Sequence, residues 1–204
     1  MNFDEWEPIY EEIVEYFGFD RKEDEDAADI LEDLLERDDL DLLEETCRGH
    51  DVCVCGNAPC LVKEIPLVRG TVLAADAASL VLLSHGIRPD VIFTDLDGAT
   101  DEFLDMNREG TIVVVHAHGD NIPLVRYWVP RFPGPLVGTT QSRPLPHVHN
   151  FGGFTDGDRA VFAAHSLGAA GITLLGFDLE DTRVDPMKRG KLYWAGRLLS
   201  LIEP

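Results

Sequence analysis

The chain has 204 residues, of which 38 are acidic and 17 basic, giving a formal net charge of −21. That length suits one large domain, or one domain with a small appendage. The acidity argues against binding to nucleic-acid backbones, and no run of about 18 apolar residues is present to span a membrane.

Met1 to Trp6 has neither a basic stretch nor an apolar run, so no signal peptide is expected. Residues 1–46 hold 20 acids and three bases, whereas the other 158 residues hold 18 acids and 14 bases. Within this first segment Trp6, Ile9, Ile13 and Phe17 recur at helical spacing up to Gly18. Ala27, Ile30, Leu31, Leu34 and Leu35 make a second stripe, and Leu40, Leu42 and Leu43 a short third. The segment therefore reads as an acidic helical cap over 1–46, docked on an α/β domain over 47–204. The same stripes suggest a homodimer through these helices. Four lysines against 13 arginines, with the acid excess, point to a salt-loving source; one strongly solvated helical segment gives the same composition.

From Asp51 the pattern changes. Short apolar runs at 52–55, 71–75, 91–94, 111–115, 136–140 and 172–177 read as strands, with helices at 77–83, 122–129 and 156–167. This predicts an α/β, Rossmann-like, three-layer fold with a mostly parallel sheet covered on both faces. Ligands in such sheets bind beyond the carboxyl ends of the strands, where Gly56, Asp76, Asp95, His116, Thr139 and Asp178 should gather. The four cysteines, Cys47, Cys53, Cys55 and Cys60, fit neither a disulfide framework nor a paired zinc motif, so reduced thiols and a cytoplasmic location are expected.

Five stretches carry candidate chemistry. Gly56-Asn57-Ala58-Pro59-Cys60-Leu61 follows a strand and serves either as a phosphate cradle or as a plain strand–helix turn. Asp95-Leu96-Asp97-Gly98 brings two carboxylates to a strand end, which suits a hard cation such as Mg²⁺; the alternative is an Asx turn before a helix. His116-Ala117-His118-Gly119-Asp120-Asn121 begins like a binuclear zinc motif but breaks at Asn121, leaving a polar active-site rim as the better reading. Asn150-Phe151-Gly152-Gly153-Phe154-Thr155-Asp156-Gly157-Asp158-Arg159 holds a capping box, Thr155 with Asp158, and a glycine pair that would let a ligand approach the backbone. Asp185 to Leu192 reads as a basic loop before a final helix, with Lys188, Arg189 and Lys191 suited to clamping phosphate oxygens.

As a set, these stretches resemble the archaeal 6-hydroxymethyl-7,8-dihydropterin pyrophosphokinase family, part of a wider group related to thiamine pyrophosphokinases. The matching pieces run in order from Trp6–Phe17 through Ala74–Ala78, Asp90–Gly98, His116–Asn121, Asn150–Arg159 and Gly176–Asp178 to Lys188–Leu192. The first turn departs from the family's GxGPSL form at Ala58 and Cys60. The resemblance implies that ATP donates a pyrophosphoryl group to a pterin hydroxymethyl oxygen and that AMP leaves. It implies Mg²⁺ on Asp95 and Asp97, with Asp120 assisting. It also implies phosphate contacts from Gly56, Asn57, Gly152, Gly153, Thr155, Lys188, Arg189 and Lys191. Pterin contacts would come from Asp76, Asn150 and Asp178, with His116, His118 and Asn121 on the rim. Thiamine pyrophosphokinase, a nucleotide-sugar glycosyltransferase and a non-enzymatic nucleotide-binding module are the alternatives.

Overall fold

Val52 to Cys55 and Val91 to Thr94 are apolar or small at successive positions because both faces of their sheet are covered. The computed structural model describes residues 1–202. Three helices come first: α1 (Phe3–Phe17), α2 (Arg21–Leu34) and α3 (Leu40–Cys47). Strands and helices then alternate: β1 (Asp51–Cys55), α4 (Leu61–Glu64), β2 (Thr71–Ala75), α5 (Ala78–Ser84), β3 (Val91–Thr94), α6 (Asp101–Arg108), β4 (Ile112–Ala117) and α7 (Ile122–Trp128). The chain continues through β5 (Leu136–Thr140), β6 (Val148–His149), α8 (Asp156–Ser166), β7 (Gly171–Leu175) and α9 (Pro186–Leu199).

Every strand pairing among the described residues is parallel, in the order β6-β5-β4-β3-β2-β1-β7. The fold is α/β, three-layered and Rossmann-like. One face is covered by α2, α5, α6 and α7, through Leu31, Leu82, Phe103 and Val125. The other is covered by α3 and α8, through Leu43, Cys47, Ala160 and Ala164. Outside α8 lie α1 and α9, joined by Trp6, Tyr10, Ile13, Phe162 and Trp194. The segment read as one cap over 1–46 is thus divided between both sides of the sheet, with α2 built into the main core.

Several elements differ from the sequence reading; β7, for one, ends at Leu175 rather than at Phe177. β4 runs two residues further than expected, because His116 and Ala117 pair with Thr139 and Thr140 of β5. β6 has two residues, too few for any periodicity to register. The expected basic loop is the start of α9: Asp185 is its N-cap, accepting the Lys188 N–H at 2.9 Å, and Pro186 opens the helix. All four cysteines are free; Cys53 and Cys55 sit on one face of β1 with their sulfurs 3.8 Å apart.

At the N-terminus of α1, the Asn2 side chain accepts the Glu5 N–H and the Glu5 carboxylate accepts the Asn2 N–H, each at 3.0 Å. Asn2→Ala is expected to cost about 1 kcal/mol, read as a lower urea midpoint at unchanged slope.

Candidate active site

Because the strands are parallel, their carboxyl ends share one edge, and a cleft of about 510 Å³ opens there. β3 delivers Asp95 to it. Leu96 then takes a left-handed conformation, φ 73°, which turns the chain so that Asp95 and Asp97 both line the cleft. Asp95 Oδ1 accepts the Asp97 N–H at 3.1 Å, so the Asx turn is present. Its other oxygen, Oδ2, lies 3.5 Å from His118 Nε2. The turn and the cleft-facing carboxylate coexist, one oxygen serving each.

Two further acids converge on Asp95. Asp76, after β2, also has a positive φ, 45°, and its Oδ1 accepts the Thr94 hydroxyl at 2.5 Å. Asp156, the first residue of α8, accepts from Arg159 Nη1 at 3.2 Å. Oxygens of Asp76, Asp95 and Asp156 all lie within 4.8 Å of one another.

Crowding sets their electrostatics. Burial pushes the Asp76 carboxyl up to about 6, helped by the charges of Asp97 and Asp95 and opposed by the Thr94 hydrogen bond. Burial and Asp95 also hold Asp156 well above the usual carboxylate range, against the pull of Arg159. Asp97 is raised by partial burial and by Asp95. Asp95 moves the other way. Burial opposes its ionisation, but the His118 hydrogen bond, the Asp97 N–H and the Arg159 charge together hold it well below the ordinary value. An ionised carboxylate beside two crowded ones, all with oxygen donors, is a ligand set that fits a hard divalent cation such as Mg²⁺.

Gly98 makes room for this arrangement, since a Cβ there would fall on the Asp76 carboxylate. Gly98→Ala is expected to displace that carboxylate and weaken divalent-cation binding about tenfold, one hydrogen-bond-sized loss, while the far-UV spectrum stays that of the parent. Cation binding equal to the parent's would show that the Asp76 position is not needed.

Helix α9 supplies the opposite charge. Lys188 and Lys191, three residues apart, share a face and line the cleft. Arg189 turns away, and its Nη2 donates to the Thr182 carbonyl at 2.8 Å. Phe19, Phe154, Phe177 and Leu192 give the cleft an apolar side. Gly56, Asn57, Thr155, His118 and Asp178 also line it, and Asp120 stands exposed at its mouth. The Gly56 and Ala58 N–H groups are occupied by Leu175 and Gly176 carbonyls at 2.8 and 2.9 Å, so the first turn is braced against β7 and cannot offer those two donors to phosphate.

The structure draws several expected site residues off the cleft walls. His116 is buried within β4, with Nδ1 3.2 Å from the Thr139 hydroxyl. Asn121 donates to the Asp95 and His116 carbonyls at 2.7 Å each and accepts the His118 N–H, tying the ends of β3 and β4 together. Asn150 donates to the Ser142 carbonyl and accepts the Gly152 N–H. Gly152 and Gly153 have φ of 85° and 89°; side chains there would strike the Phe162 ring and the Arg159 backbone. The glycine pair therefore admits protein, packing α8 against its own approach. Asp158 is spent on the capping box, accepting from the Phe154 and Thr155 N–H groups. Conversely, Asp156, Arg159, Gln141 and Asp24 line the cleft and were not singled out as site residues from the sequence. The one signal was that Asp156 sits where an anion-binding helix start should not carry an acid.

The family model described as "6-hydroxymethylpterin diphosphokinase MptE-like" matches residues 27–184. The chain belongs to this family. Curated relatives named 6-hydroxymethyl-7,8-dihydropterin pyrophosphokinase include one from Pyrococcus furiosus, 45% identical over 87% of this chain and 78% of its own. Another, from Methanothermobacter thermautotrophicus, is 40% identical over 100% of this chain and 96% of its own. A third, from Methanocaldococcus jannaschii, is 35% identical with the same coverage. A solved structure, the MAf glycosyltransferase of Magnetospirillum magneticum, superimposes with a TM-score of 0.51 at 18% identity, over 79% of this chain and 33% of that one; this is a likeness of fold. In this MptE-like protein, Trp6, Tyr10 and Asp24 precede the span that the family model matches. No helix among the described residues is long and apolar enough to cross a membrane.

Proposed function

We propose that this MptE-like protein transfers the pyrophosphoryl group of ATP to the hydroxymethyl oxygen of 6-hydroxymethyl-7,8-dihydropterin and releases AMP. The observation that carries this reading is the group formed by Asp76, Asp95 and Asp156 in a cleft that Lys188 and Lys191 also line, in a chain whose relatives bear that enzyme's name. In the reaction the hydroxymethyl oxygen bonds to the β-phosphorus. The bond from that phosphorus to the oxygen it shares with the α-phosphorus breaks, and AMP departs with that oxygen.

Such transfer depends on alignment and charge neutralisation more than on covalent work by the protein. Asp76, Asp95 and Asp156 would hold Mg²⁺, which when bound neutralises phosphate oxygens and lets them approach the acids. Lys188 and Lys191, lining the same cleft, answer the remaining negative charge. Gly56, Asn57 and Thr155 border the phosphate path. Phe154 and Phe177 offer flat apolar surface to the acceptor ring, and Asp178 can accept from its amino N–H groups. Asp97 lines the cleft beside the three-acid group; its raised carboxyl suits it to take the hydroxymethyl proton.

The test is incubation with ATP, Mg²⁺ and hydroxymethyl-dihydropterin, with nucleotides separated by chromatography. AMP formed in equal amount to pterin pyrophosphate is the expected result. Formation of ADP, or no turnover, removes the reading, and AMP formed with thiamine alone transfers it to the thiamine-directed relatives.

A further inference from the structure

Behind the carboxylates runs an unbroken chain of buried hydrogen bonds. The Tyr10 hydroxyl donates to Asp24 Oδ2 at 2.7 Å, and Gln141 Nε2 donates to the same oxygen at 2.7 Å. Gln141 Oε1 accepts from Arg159 Nη2 at 3.1 Å, and Arg159 Nη1 donates to Asp156 Oδ1 at 3.2 Å. Asp24 Oδ1 accepts the Gly119 N–H at 2.9 Å, and the Gln141 carbonyl accepts the Trp6 indole N–H at 2.8 Å. The orientation of the Gln141 amide follows from its neighbours: a guanidinium only donates and a carboxylate only accepts. Asp24, Gln141 and Arg159 are 4%, 4% and 8% exposed, so these contacts are largely shielded from water although the residues border the cleft.

Two atoms beside this chain lack a partner. Arg159 Nε and His116 Nε2 are both buried without a hydrogen bond. Both residues line a void of about 10 Å³ that also touches Phe93, Thr139 and Phe151, close to the space one water needs. The chemistry at His116 is fixed by its other nitrogen. The Thr139 hydroxyl donates to the Val115 carbonyl at 3.0 Å, so its oxygen accepts from Nδ1–H of His116 at 3.2 Å. Nε2 is then an acceptor. A single water there, accepting from Arg159 Nε–H and donating to His116 Nε2, would satisfy both atoms.

We infer that Arg159 is a positioning residue: braced by Gln141 and by one buried water shared with His116, it fixes the Asp156 carboxylate for a divalent cation. The inference rests on the proposed cation site at Asp76, Asp95 and Asp156. The charge of Arg159 acts in two directions: it repels a cation directly, and it favours the ionised forms of Asp95 and Asp156 that would bind one. A variant that keeps the charge and removes only the brace therefore isolates the clamp.

Mn²⁺ alone, added to the full-length protein and followed by loss of the free-ion EPR signal, reads the clamp without any turnover. Arg159→Met is expected to weaken Mn²⁺ binding by about 10–100-fold, the range for residues that orient metal ligands. Unchanged or tighter binding overturns the inference. Gln141→Met leaves the guanidinium charge in place and removes only its brace; weaker binding is again expected, and unchanged binding overturns the inference even if Arg159→Met fails to fold. A parent protein that binds no Mn²⁺ refutes the cation site itself, and the clamp with it, whereas a binding parent with unaffected variants refutes the clamp alone.

Discussion

For the proposed transfer, Asp95→Asn is expected to lower the rate of AMP formation by about 10²–10³-fold at ordinary Mg²⁺, the range for losing one pre-organised charge contact to the reacting group. The substitution is close to isosteric. Its amide oxygen can still accept the Asp97 N–H that Asp95 Oδ1 accepts now, so the turn survives. What disappears is the charge that His118 and Arg159 keep in place. Asp97→Asn tests the neighbouring acid, which borders the three-oxygen group from a more exposed position. Steady-state rates for both variants check the idea, and near-parental turnover in both removes the metal role from this strand end. A loss confined to Asp95→Asn assigns the cation to Asp95 with Asp76 and Asp156 and removes the proton-accepting role from Asp97.

Without added metal, the melting temperature is expected to fall as the pH is raised from about 4 to 7, and Mg²⁺ is expected to flatten that fall. Asp76 and Asp158 both have carboxyls pushed up to about 6 from a reference of 3.8 by burial, and Asp156 is raised as well. A group raised on folding contributes stability that is complete below its unfolded value, near 4, and is lost as the pH rises through its folded value, near 6. For Asp76 this amounts to on the order of 3 kcal/mol. Asp95 has the opposite sign: its stabilisation is present above pH 4 and is lost only in stronger acid, so it does not offset the fall. A divalent cation recovers the loss by binding the ionised acids. Asp76→Asn should remove its own share of the slope, because the amide oxygen can still accept the Thr94 hydroxyl while no charge is buried. Calorimetry of the parent and Asp76→Asn with and without Mg²⁺ checks this; a metal-free melting temperature that stays level across the range contradicts it.

The sheet was legible because its strands are buried on both faces and leave uninterrupted apolar runs, as at Val91 to Thr94. Asp95 and Asp97 were legible for a related reason: a charged pair directly after such a run must lie at a strand end. The partners of Asp95 were not. Asp76 and Asp156 stand 19 residues before it and 61 after it in sequence, and only the parallel register brings their strand and helix ends together. Asp24 was one acid among the 20 of the first segment, and nothing local separates a buried one from its solvated neighbours. The N-terminus of α9 was in view, since Asp185-Pro186 is an N-cap followed by a helix-opening proline; scarcity of lysine drew attention to charge over capping. The glycine pair at Gly152 and Gly153 misled because backbone approached by a ligand and backbone approached by a helix need the same missing Cβ.

Acids and bases of the cleft arrive from segments far apart in sequence, with Asp24 from α2 and Lys188 and Lys191 from α9. The two lysines ride on a helix held by apolar packing with α1 and α8. The charge balance of the cleft therefore depends on that outer layer: a change that loosens it shifts the lysines while the acids at the strand ends stay in place.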